Sequence, residues 1–111
     1  MAGYTKQNLI DVENQAPNFG MPDGLEARFA RRSIEGQELG LSLFRLGPSL
    51  RIPFGHKHAG QEEVYVVVKG SGRIKVEDEI VELAQWDAIR LDKDTMRAVE
   101  AGPEGIEYLA F

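Results

Sequence analysis

The sequence predicts an all-β fold, closed into a sandwich or barrel, with little helix. From Leu25 onward, short apolar or alternating runs are separated by turn signals at roughly the 8 to 12 residue spacing of an all-β chain. No segment sustains the 3.6-residue apolar period that a helix needs. "GRIKVEDEIVEL" reads as a hairpin, since Ile74, Val76, Ile80 and Val81 flank a tight acidic turn at Asp78 that a short loop closes.

The elements follow in order. Residues 1–24 form an N-terminal arm, in which "NLIDV" fits one short strand and "ENQAPNFGMPDG" is a loop because Asn, Pro, Gly and Asp supply turns and break ladders. Residues 25–111 form the β domain. Its runs are "LEARFARRSI", "LGLSLFRL", "EVYVVVK", "GRIKVE", "EIVEL", "DAIRL", "MRAVEA" and "IEYLAF", with breaks that include Gly70, Gly72 and Gly102-Pro103. Alternation puts Phe44 and Leu46 on one face and Arg45 with Leu43 on the other, and Arg45, Arg28 and Arg90 read as surface residues.

Composition narrows the function classes. At 111 residues the chain holds one small core, so any site lies within one domain or at a subunit interface. There is no cysteine, so a metal cage would rely on nitrogen and oxygen ligands. With 18 acidic against 13 basic side chains and a formal charge of -5, a phosphate-tracking surface is not expected, and no nucleic-acid partner is proposed. "MAGYTKQNLIDVENQ" lacks a basic region followed by an apolar run, and no stretch reaches ~20 apolar residues. The expectation is a soluble, cytoplasmic protein without a membrane partner.

Both histidines of the chain lie in "HKHAGQEE", at positions 56 and 58, with Glu62 and Glu63 behind them. In a strand, residues two apart project from one side, ~6.5 to 7 Å apart along the chain. His56 and His58 then share a face, and a bend allowed by Gly55 and Gly60 lets two imidazoles converge on one ion at ~2.0 to 2.1 Å. A carboxylate from the next strand completes a two-histidine, one-carboxylate face suited to iron, manganese, nickel or zinc. Parity favours Glu63, which shares a face with Tyr65 and Val67, over Glu62. The plainer reading is a pair of loop histidines beside solvated acids.

"HKHAGQEEVYVVVKG" reads H-x-H, four residues, Glu63, six residues, Gly70, and resembles the first motif of the cupin superfamily. After the hairpin, "WDAIRLDKDTMR" stands where the second cupin motif falls. Trp86 takes the place of its first glycine, Asp92 that of the proline, Asp94 that of the second glycine and Arg97 that of the histidine. The resemblance covers roughly Leu41 to Phe111 and implies a small jelly-roll β-barrel. It also implies a divalent metal on His56, His58 and Glu63, and a homodimer with exchanged terminal strands.

Arg97 breaks that inheritance, because a guanidinium stays protonated and offers only donors. Three outcomes stand open. A metal sits on the retained trio while Arg97 clamps an anionic substrate; or no metal binds and Arg97 pairs with Glu63 inside the barrel; or Arg97 turns to solvent. The sequence therefore carries three functions. One is a metal-dependent enzyme acting on a small anion, of dioxygenase, isomerase or decarboxylase type, with Arg97 and Tyr65 at the substrate. The second is a metal-free binding protein for a sugar or small acid, and the third a structural dimer with a vestigial site. Trp86 is expected to pack at the barrel wall or mouth, and Phe54 to roof the site.

Overall fold

The computed structural model describes residues 3–53, 55 and 60–111. Among these, six strands form one antiparallel sheet: β1 (Leu25–Phe29), β2 (Ser42–Leu46), β3 (Glu63–Val76), β4 (Glu79–Leu83), β5 (Ala88–Leu91) and β6 (Arg97–Ala110). The order is β1-β2-β6-β3-β4, with β5 also paired to β3. The all-β expectation holds, and the only helical segments described are two 3-10 turns, Leu9–Asp11 and Ala16–Phe19.

Two elements are longer than the sequence suggests. "EVYVVVK" and "GRIKVE" are one strand of 14 residues, and so are "MRAVEA" and "IEYLAF". Gly70 and Gly102-Pro103 read locally as breaks, yet β3 and β6 pair on both sides of them, with irregular register between Val67 and Lys69 and between Gly70 and Gly72. The strands bend there instead of ending. Gly70 has φ +77, and a Cβ on it would stand 2.2 Å from the Gly105 carbonyl oxygen, so the bend requires glycine. Each long strand thereby serves both halves of the barrel.

The hairpin forms as expected, with Val76 opposite Glu79 and Ile74 opposite Val81. Its turn is Glu77-Asp78, with Glu77 at φ +51. The short strand expected over "NLIDV" is a 3-10 turn instead, because the Asn8 side chain accepts the Ile10 N–H at 2.9 Å and caps it. Farther along the arm, Asn14 Oδ1 accepts from the Ala16 and Ala27 N–H groups at 3.0 and 2.9 Å, and Arg28 donates to the Val12 carbonyl. The arm thus lies tied to β1.

The core follows strand alternation. Leu25, Ala27, Leu46, Tyr65, Val67, Val99, Ala101, Ile106 and Tyr108 are buried and pack together, two residues apart along each strand. Arg45 lies on the opposite face of β2, half-buried between Glu26 and Glu107, both at 3.5 Å. No helix among the described residues is long and apolar enough to cross a membrane.

Candidate functional site in the barrel

Glu63 and Tyr65 open β3 on its inward face, and Arg97 opens β6 on the same parity as the buried Val99 and Ala101. Arg97 is 1% exposed and, among the described residues, the one charged residue that is fully buried. Its Nη2 donates to Glu63 Oε1 at 2.6 Å and its Nη1 to the Thr95 carbonyl at 2.7 Å. The Tyr65 hydroxyl donates to the same Oε1 at 3.3 Å. Three of the five residues singled out for the site therefore meet. His56 and His58, like Phe54, lie outside the described residues.

The electrostatics follow from burial. Tyr65 has its pKa pushed up to about 12, first by burial and then by the charge of Glu63 beside it, while Arg97 pulls the other way. Burial works against the charge on Arg97, but the contacts with Tyr65 and Glu63 outweigh it and hold the proton more firmly. At neutral pH Tyr65 is thus a neutral phenol and Arg97 a guanidinium. Next to it, Tyr108 is fully buried and its hydroxyl is driven well above the ordinary range, by burial foremost.

Parity separated the two glutamates correctly. Glu63 points inward with a side chain 15% exposed, whereas Glu62 is solvated and pairs with Arg90 at 3.4 Å. Tyr65 is a buried core aromatic whose hydroxyl reaches Glu63. Of the aromatic neighbours of Tyr65 and Glu63, alternation had already grouped Phe44 with Leu46, whereas Tyr108 was missed. Tyr108 lies against Tyr65 with ring centroids 5.0 Å apart, and Phe44 stacks on Tyr108 at 5.1 Å. The signal was there in alternation, because Tyr108 shares parity with Ile106 and Ala110.

Two departures from the motif fall in the turns on either side of β5. Trp86 and Asp94 stand where the resemblance calls for glycine, and both adopt left-handed backbone, φ +72 and +62. A bulky side chain there costs on the order of 1–2 kcal/mol, while aspartate tolerates it better. Trp86 is not the packing residue expected: its side chain is 70% exposed on the turn between β4 and β5. Asp87 closes that turn, its Oδ2 accepting the Ala84 N–H at 2.8 Å.

A divalent ion at Glu63 meets a specific obstacle. One oxygen of the carboxylate, Oε1, already accepts from a phenol and a guanidinium, and that guanidinium is a fixed positive charge 2.6 Å from it. As placed, the described residues fit a dication poorly, because two positive charges would share one carboxylate in a buried setting.

No family profile and no curated protein matches the sequence. Solved structures do. A cupin protein from Bacteroides fragilis is similar over 99% of this chain and 83% of its own, with TM-score 0.79 and 23% identity. This chain has the cupin fold. Oxalate decarboxylase of Bacillus subtilis, a protein with Mn(II) centres, superposes with TM-score 0.81 and 23% identity over 99% of this chain. This chain spans 29% of that decarboxylase's length. A predicted oxalate decarboxylase from Thermotoga maritima is similar over 78% of this chain and 76% of its own, with TM-score 0.67 and 21% identity.

Proposed function

We propose that this cupin binds a small molecule inside its barrel through Arg97, Glu63 and Tyr65, without a metal held by Glu63. The observation that supports the reading is the 2.6 Å pair between Glu63 and the buried Arg97. Breaking such a pair leaves an uncompensated buried charge, so Glu63 is held to Arg97 by more than proximity. Polar contacts, not coordination, then orient the ligand.

Metal analysis of the purified protein tests this. The expected result is less than about a tenth of an equivalent of manganese, iron, nickel or zinc, with none retained after reconstitution. Retention of about one equivalent that Glu63→Ala abolishes overturns it.

A second reading places a divalent metal on His56, His58 and Glu63, with dioxygenase, isomerase or decarboxylase chemistry on a small anion at Arg97. It draws on the H-x-H spacing and on the likeness to the Mn(II)-containing decarboxylase. It requires Glu63 to leave Arg97 or be shared with it.

A further inference from the structure

The run Val64-Tyr65-Val66-Val67 is apolar on both faces of β3. Tyr65 and Val67 are buried inside the barrel, so Val64 and Val66 face outward. An antiparallel strand with water on its outer face alternates apolar with polar residues, whereas a strand covered on both sides does not. Pairing extends the outer apolar row: Val66 stands opposite Leu109 on β6 and Ala88 on β5, and Leu109 stands opposite Leu43 on β2. Leu43 is already covered within the chain, but Leu109 and Val66 are only half-buried and Ala88 is exposed. One row along, Phe111 exchanges two backbone hydrogen bonds with Val64 and is 49% exposed.

Trp86 stands at the β5 end of this face. Its N–H donates to the Val67 carbonyl at 2.7 Å, and the Val67 N–H donates to the Asp87 carbonyl at 2.9 Å. Two residues of the turn thus oppose one residue of β3, a bulge whose first residue is left-handed at φ +72. Glycine fits that position without strain, yet the chain places its one tryptophan there, with 70% of it exposed. An aromatic residue that is both strained and exposed gains its use from what it touches outside the chain, and tryptophan is the residue type most enriched among interface anchors.

The neighbouring charged row identifies the occupant. Arg45, Glu107 and Lys69 lie opposite one another on β2, β6 and β3 and alternate in sign. Under a two-fold axis that runs along the strands between β6 and β3, each row meets itself reversed. Leu109 then faces Val66 of the second copy, Phe111 faces its Val64 and Glu107 faces its Lys69. Arg45 comes to the turn that carries Trp86, a ring whose face attracts a guanidinium. One rotation therefore sets apolar against apolar and opposite charge against opposite charge. A lipid surface would call for a row of one sign.

We infer that this chain pairs with a second copy of itself through the outer face of β2, β6, β3 and β5, with Trp86 as the anchor. That surface differs from the exchanged terminal strands that the resemblance implies. It lies on the other side of the sheet from Arg97, so the inference is independent of whether a metal binds.

Sedimentation of the full-length chain should give twice the chain mass. Trp86 emission reports on the face directly, and in the dimer it should lie at shorter wavelength than in a dissociated variant. Trp86→Gly relaxes the bulge, so it should keep the circular dichroism spectrum while raising the dimer dissociation constant at least about thirtyfold, the size of an interface hot spot. Lys69→Glu and Glu107→Lys each set like charges across the two-fold axis and should each dissociate the dimer. Mixed in equal amounts, the two variants should form a mixed dimer, because each supplies the charge that the other lacks. Repulsion confined within one copy would not be relieved by mixing. A monomeric wild type, a dimer that Trp86→Gly leaves as tight, or charge variants that stay apart when mixed overturns the inference. Should a charge variant fail to fold, the wild-type mass and Trp86→Gly decide it.

Discussion

Glu62 and Glu63 are neighbours in the chain, and each pairs with an arginine from another strand. Glu62 faces out and meets Arg90 at 3.4 Å, both side chains more than half exposed. Glu63 faces in and meets Arg97 at 2.6 Å, the arginine side chain fully buried. One step of strand alternation separates them. On the outer face water screens the charges and the two side chains give up rotamer freedom to meet, so the pair contributes little. On the inner face each charge needs the other, and the same residue types become a constraint on the fold and on any ligand.

Glu63→Ala should give the largest effect, a loss of about 3–5 kcal/mol in urea denaturation, because it strands a buried guanidinium. Replacing both partners, Glu63→Leu with Arg97→Met, should recover most of that loss. A double variant no more stable than Glu63→Ala would mean that the glutamate packs and does not compensate charge.

Alkaline pH probes the same face through Tyr65. Its folded pKa of about 12 stands above the ordinary 10.0, so the folded state holds this proton longer than the unfolded state. The associated stability is fully present below pH about 10 and is lost as pH rises from about 10 to about 12, amounting to about 2–3 kcal/mol. Tyr108 is shifted in the same direction, so Tyr65→Phe should flatten the decline only in part. A decline unchanged in Tyr65→Phe would remove Tyr65 from the buried network. The smallest effect belongs to the outer face: Arg90→Ala should leave the thermal midpoint where it was. A clear drop would show that the solvated pair matters and would erase the contrast between the faces.

Much of this was legible beforehand because alternation is local. The period of two put Glu63 and Glu62 on opposite faces and grouped Phe44 with Leu46, and burial then showed which of those faces points inward. Turn residues marked the hairpin at Asp78. What misled was punctuation. Gly70 and Gly102-Pro103 look like strand ends, and only the pairing of β3 with β6 across them turns them into bends. "NLIDV" looks like a strand by composition, and one Asn8 side chain made it a 3-10 turn.

The sequence by itself determined the fold class, the spacing that resembles a cupin motif and the face on which Glu63 lies, because each depends on residues within a strand or a turn. Only the tertiary structure decided what Arg97 does. Arg28, Arg45, Arg90 and Arg97 look alike as letters, and which one is buried depends on where strands distant in sequence bring a carboxylate. That meeting is 34 residues apart along the chain and 2.6 Å apart in space.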